Sequence, residues 1–202
     1  MVHKTVVLDS IKENQIEKIV AYMNVNLQEK LVESIEAVAK FDFEMIDEPM
    51  SDEFESLVWI QTTGEKLFYR CKIYYTREVA FKLYENARKI SNPKDSLVIS
   101  YLKEMGNVGA GAIKKVLESG HNLLSQLSIP LALSRKMEFE FAHTYVMHHS
   151  QAFSLVSKTN KLYIKHELEV LDLPTANALY DFIVDRESQV EEDSDGDDVE
   201  LF

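Results

Sequence analysis

From Leu97 to Leu117 apolar residues return at helical spacing: Leu97, Ile99, Leu102, Met105, Val108, Ile113, Val116 and Leu117. Three of the chain's six glycines, Gly106, Gly109 and Gly111, interrupt that pattern within six residues. A glycine in a helix interior costs about 1 kcal/mol relative to alanine, so three in two turns call for compensation. Three arrangements supply it. The helix ends near Gly106 and a loop follows. Alternatively, small residues let a strand or a second helix pack close. In the third arrangement, an uncluttered surface lets a partner protein approach the polar side chains nearby. The last two are compatible. With Asn92-Pro93 as a break and Asp95 or Ser96 as a cap, the pattern predicts a long helix over 96–119 that stops at Gly120.

Around this segment the chain alternates between two periodicities. Ile11, Ile16, Ile19, Val20 and Met23 suit a short helix, and Asn26 offers a cap for a clearer one over 27–40, with Leu27, Leu31, Ile35 and Val38 on one face. Phe41, Phe43 and Met45 alternate with Asp42 and Glu44 as in a strand. Residues 56–62 and 66–76 are rich in β-branched and aromatic side chains and flank Thr63-Gly64-Glu65, which reads as a hairpin. Thr76 caps a helix bearing Val79, Leu83 and Ala87. After a loop at Pro130, three strands are expected at 136–146, 151–158 and 161–171, then a helix over 174–186 opened by Pro174. The expected fold is α+β: an antiparallel sheet with packed helices, one of them long and central. The expected boundaries are an N-terminal extension at 1–24, one domain at 25–186 and a disordered acidic tail at 187–202.

Charge and cysteine usage exclude several functions. The net charge of −12 falls to −4 once the eight acidic residues of 187–202, which has no Lys or Arg, are set aside. No basic stripe for nucleic acid is present. No segment approaches the roughly 18 apolar residues of a membrane helix, and the apolar run before Asp9 is too short for a signal peptide. Cys71 is the single cysteine, which fits a reducing compartment, so a cytoplasmic location is expected.

The polar residues of the central segment are Glu104 and Asn107. Three apart on a helix, they project from the same face. Asparagine offers a donor and an acceptor and can hold a water in line with an electrophile; a carboxylate beside it can anchor a lysine. Spacing of this kind also arises by chance on solvated helix faces. The full string Glu104-Met105-Gly106-Asn107-Val108-Gly109-Ala110-Gly111 is more specific. It resembles the signature helix of the CheC/CheX/FliY family of chemotaxis phosphatases: glutamate, an aliphatic residue or methionine, any residue, asparagine, an apolar residue and, three on, glycine. Residues 27–46 resemble the family's first helix and strand, 57–87 its hairpin and following helix, and Ser128-Ile129-Pro130 the entry to its second run of strands.

The resemblance implies a phosphatase acting on the aspartyl phosphate of a CheY-like response regulator. Asn107 would orient the attacking water and Glu104 would pair with the regulator's lysine. Gly106, Gly109, Ala110 and Gly111 would form the partner-binding surface. Mg²⁺ would sit in the partner receiver domain, and the chain would carry no cofactor of its own. The asparagine that often follows the last glycine in the family is Ala112 here, and residues 10–40 hold no second E-x-x-N pair. That single site is the CheX arrangement, which implies a homodimer. A receiver-domain or flagellar-switch binding module without turnover is the alternative.

Other residues carry less. His143, His148 and His149 gather in sequence without further ligands in an evident geometry, so no metal site is expected. Cys71 lies between Arg70 and Lys72, which would lower its pKa if they faced it; a buried structural cysteine is the favoured reading.

Overall fold

The computed structural model describes residues 11–118, 126–138, 145–158 and 160–195. One helical rod opens the fold: α1 (Glu13–Tyr22), a single π turn (Met23–Leu27) and α2 (Gln28–Ala39). The buried residues explain the π turn. Ile19, Tyr22 and Met23 follow the ordinary spacing, as do Leu31, Ile35 and Ala39 after Gln28. Between Met23 and Gln28 the interval is five, one residue too many for an α-turn. The Gln28 amide closes that interval by donating to the Met23 carbonyl. Position 26 therefore lies within the rod; α2 begins at Gln28, next to the expected start at 27, and the rod as a whole begins at Glu13.

Seven antiparallel strands follow: β1 (Glu44–Ile46), β2 (Ser56–Thr63), β3 (Leu67–Tyr75), β4 (Gln126–Leu127), β5 (Leu131–Ser134), β6 (Met147–Ser157) and β7 (Asn160–Val170). They form one sheet in the order β1-β6-β7-β3-β2-β4, and β5 shares the outer edge of β2 with β4. The hairpin at Thr63-Gly64-Glu65 forms as expected, Ser56 opposite Tyr75 and Thr63 opposite Phe68. The strand expected at 136–146 does not form at its start. Arg135–Met137 is a 3-10 turn, and pairing occurs instead at β5, between the expected loop and the expected strand. Residues 139–144 of that expected strand lie outside the described residues.

Three more helices complete the fold: α3 (Arg77–Arg88), α4 (Asp95–Glu118) and α5 (Leu173–Asp195). The Thr76 hydroxyl accepts from the Val79 amide at 3.3 Å and opens α3. Lys89, at φ 56°, closes it with a left-handed turn.

Strand alternation sorts the side chains onto two faces. Val58 and Ile60 of β2, Tyr69, Cys71 and Ile73 of β3, Leu162, Ile164 and Leu168 of β7, and Phe153 and Leu155 of β6 join the helices in the main core. The opposite face carries a smaller cluster of Phe54, Leu57, Tyr74 and Tyr163. Beside it lie buried ion pairs: Arg70 with Glu169 at 2.7 Å, and Lys72 with Glu138 at 2.8 Å. Arg70 and Lys72 thus point away from Cys71, whose thiol is pushed up to about 12 by burial. The cysteine is structural.

Both expected boundaries move. Ile19 is fully buried and the Tyr22 ring meets Phe182 edge-on at 6.2 Å, so residues 11–24 belong to the core and are not an extension. Helix α5 runs nine residues past 186, to Asp195, where a disordered tail was expected. Residues 196–202 lie outside the described residues. No helix among the described residues is long and apolar enough to cross a membrane.

Candidate functional site on the central helix

Helix α4 is continuous through its three glycines, and packing explains two of them. A Cβ built on Gly106 would stand 3.0 Å from Val58 Cγ1, and one on Gly109 would stand 2.7 Å from Leu31 Cδ1. Gly106 thus lets β2 approach α4, and Gly109 does the same for α2. Gly106 and Gly109 are buried, and Ala110 is fully buried beside them. Three of the four residues expected on a partner-binding surface therefore face inward, because the long helix has to lie close to both sheet and rod. Gly111 differs: a Cβ there would meet nothing within 4 Å.

At about 100° per residue, the outward stripe of α4 comprises Leu97, Ser100, Glu104, Asn107, Val108, Gly111 and Lys115. Glu104 is exposed, Asn107 half-buried, and Val108 exposed to 40%. The carboxylate and the amide stand on one face with an apolar residue and an open glycine between and beyond them. Chemically, this is a surface for docking and orienting. It presents a charge acceptor, a hydrogen-bonding amide and a patch without side-chain bulk.

The structure adds one residue that sequence reasoning missed. Arg88, in the last turn of α3, donates from Nη2 to Glu104 Oε2 at 2.6 Å. Its guanidinium carbon stands 5.8 Å from the centre of the Tyr101 ring. Tyr101 is buried and donates its hydroxyl hydrogen to the Val38 carbonyl of α2 at 3.0 Å. Burial pushes the Tyr101 phenol up to about 12; the Arg88 charge works against that rise and the Glu104 charge with it. No local pattern links Arg88 to Glu104, because their contact depends on how α3 packs on α4.

The histidines separate. His149 Nε2 lies 2.9 Å from Asn24 Oδ1, on the π turn of the rod. His166 is fully buried, and burial brings its pKa down to about 4. His143 lies outside the described residues. No group of three His, Cys, Asp or Glu side chains among the described residues is placed to hold a metal ion.

The architecture defines a class: an antiparallel α+β sheet covered on one face by helices, with a long helix presenting a glutamate and an asparagine outward. Its fold is that of the CheX and CheC-like chemotaxis proteins. CheX from Vibrio vulnificus superposes with a TM-score of 0.57 at 18% identity, over 72% of this chain and 98% of that one. A chain of the CheX–CheY–BeF3–Mg²⁺ complex from Borrelia burgdorferi gives 0.53 at 12%, over 73% and 99%. A chain of the FliG–FliM complex from H. pylori gives 0.54 at 7%, over 82% and 98%. No family model matches the sequence, and no curated protein is significantly similar to it. The likeness lies in the fold.

Proposed function

We propose that this chain dephosphorylates the aspartyl phosphate of a CheY-like response regulator. The observation that carries the reading is the outward pairing of Glu104 and Asn107 on a helix of a CheX-type fold. Asn107 enters the regulator's phosphorylation site and orients a water in line with the phosphorus. The water oxygen bonds to phosphorus as the bond to the aspartyl oxygen breaks, and the products are inorganic phosphate and a free carboxylate. Glu104 pairs with the regulator's lysine and sets the register of the two proteins. Mg²⁺ belongs to the regulator and needs no ligand from this chain. Such a mechanism asks for positioning more than for covalent chemistry, so a two-residue helical site suffices. The neighbour complexed with CheY, BeF3 and Mg²⁺ supports a receiver domain as partner. A homodimer and a cytoplasmic location accompany this reading as proposals.

A second reading, a flagellar-switch or receiver-binding module without turnover, draws on the neighbour from the FliG–FliM complex. Retention of both Glu104 and Asn107 favours catalysis, since a binder needs no water-orienting amide.

The test is the decay of aspartyl phosphate on CheY-like receivers from the same organism. Wild type should accelerate it, and Asn107→Ala should remove about a hundredfold of that acceleration while still binding the receiver. Equal decay with wild type and Asn107→Ala would sink the catalytic reading.

A further inference from the structure

We propose that Arg88 is the positioning residue for Glu104, holding its carboxylate where the partner's ammonium group meets it. The inference rests on the phosphatase reading above and concerns the same site. Glutamate on a helix surface ordinarily samples many rotamers, and a contact that needs one of them is weakened by the freedom lost on docking. Here Glu104 is restrained before docking, through the 2.6 Å bond from Arg88 Nη2 to Oε2.

The restraint is itself anchored. Arg88 ends α3, next to the left-handed turn at Lys89. A cation there is also favoured by the carbonyl end of the helix. Its guanidinium lies over Tyr101, whose hydroxyl is tied to Val38 and whose ring meets Tyr84 edge-on at 5.5 Å. Arg88 thus rests on an aromatic platform built from three helices, and the carboxylate it holds is fixed relative to all of them.

Stability gives little reason for this pair. The two side chains are 47% and 51% exposed, and surface pairs of that kind contribute little to folding. The bond uses one carboxylate oxygen; among the described residues Oε1 has no hydrogen-bond partner, and an ionised carboxylate accepts at both oxygens. Glu104 can therefore keep Arg88 on Oε2 while Oε1 receives an ammonium from the partner. Lysine at position 88 would keep the charge but lose the planar guanidinium that lies over Tyr101.

The experiment compares wild type, Arg88→Ala, Arg88→Lys, Glu104→Ala and the Arg88/Glu104 double alanine variant. Each is assayed for KM and kcat on phosphorylated receiver and for Kd on receiver loaded with beryllofluoride and Mg²⁺. Arg88→Ala should raise KM and Kd about tenfold, leave kcat within about twofold, and shift the melting temperature little. Arg88→Lys should recover part of the loss. In the Glu104→Ala background, removing Arg88 should change nothing further. Unchanged or lower KM and Kd in Arg88→Ala, or an equal effect without Glu104, would overturn the positioning role and leave the phosphatase reading standing. A wild type that binds receiver without turnover would end the phosphatase reading, and the Kd series would then decide Arg88 alone. A wild type that neither binds nor turns over receiver overturns both.

Discussion

Gly109 and Gly111 are two residues apart on one helix, yet they answer to different neighbours. Gly109 faces Leu31, a fully buried side chain whose Cδ1 would have to shift to admit a Cβ there. Alanine there gains up to about 1 kcal/mol of helix propensity but overpacks the core, at a cost of about 1–3 kcal/mol. Gly109→Ala should therefore lower the melting temperature. Gly111 faces open space, so no contact among the described residues requires glycine. Gly111→Ala should raise stability by up to about 1 kcal/mol, or about 2–4 °C. If the stripe docks closely on a receiver, the same change should slow dephosphorylation. Melting curves and phosphate release on the two variants check both directions. A Gly111→Ala protein as active as wild type would show that no partner approaches the helix there.

At the scale of elements, helix α5 shows how a boundary read from charge misleads. Its acidic stretch reads as a tail, yet α5 is one helix from Leu173 to Asp195, seated by Ala176, Leu179, Phe182 and Ile183, all nearly or fully buried. Removing residues 187–202 deletes the exposed pair of Lys18 with Glu187 (2.6 Å) and should cost under about 1 kcal/mol. Removing 173–202 also uncovers Tyr22, whose ring meets Phe182, and deletes the buried Ala176, Leu179, Phe182 and Ile183. Each large buried side chain is worth about 1.5–3 kcal/mol, against a total stability of about 5–15 kcal/mol. That truncation should abolish cooperative unfolding by circular dichroism, whereas the shorter one should melt close to wild type. The rod of α1 and α2 teaches a related point. Its apolar residues are legible as two helices, but the five-residue step from Met23 to Gln28 reads as a break in sequence, and the fold spans it with a π turn that keeps both buried faces on one rod.

The whole molecule places charge and neutral polarity on opposite faces of one sheet, and both make it acid-sensitive. On the helix side, His166 Nδ1 and Nε2 have no hydrogen-bond partner among the described residues, and the ring lies between Tyr69 and Phe153 at 6.1 and 6.0 Å. Burial lowers its pKa from 6.5 to about 4. The unfolded chain therefore takes up this proton first. The stabilisation is complete above about pH 6.5 and is lost as pH falls toward about 4, some 3 kcal/mol in all. On the other face, burial alone would raise the Glu167 pKa, but the hydrogen bond from Lys165 and the charges of Lys72, Lys165 and Arg70 outweigh it and hold the carboxyl below its usual range. It loses stability in the same direction, at lower pH. His166→Leu should flatten the curve between pH 6.5 and 4 and leave stability at pH 7 equal or higher, since it removes two unsatisfied polar atoms. Urea unfolding at pH 7, 6, 5 and 4 tests it; parallel curves for wild type and variant would refute the assignment.

The sequence by itself determined the α+β class, the β2–β3 hairpin, the Thr76 cap, the span of α4 and the common face of Glu104 and Asn107. Each depends on interactions within a few residues: side-chain period, turn chemistry and helical spacing. Tertiary structure decided that Gly106, Gly109 and Ala110 pack inward, that residues 131–134 and not 136–138 join the sheet, that residues 11–24 belong to the core and that Arg88 reaches Glu104. These are contacts between elements distant in the chain. They follow from which surfaces are buried together, and no local period records that.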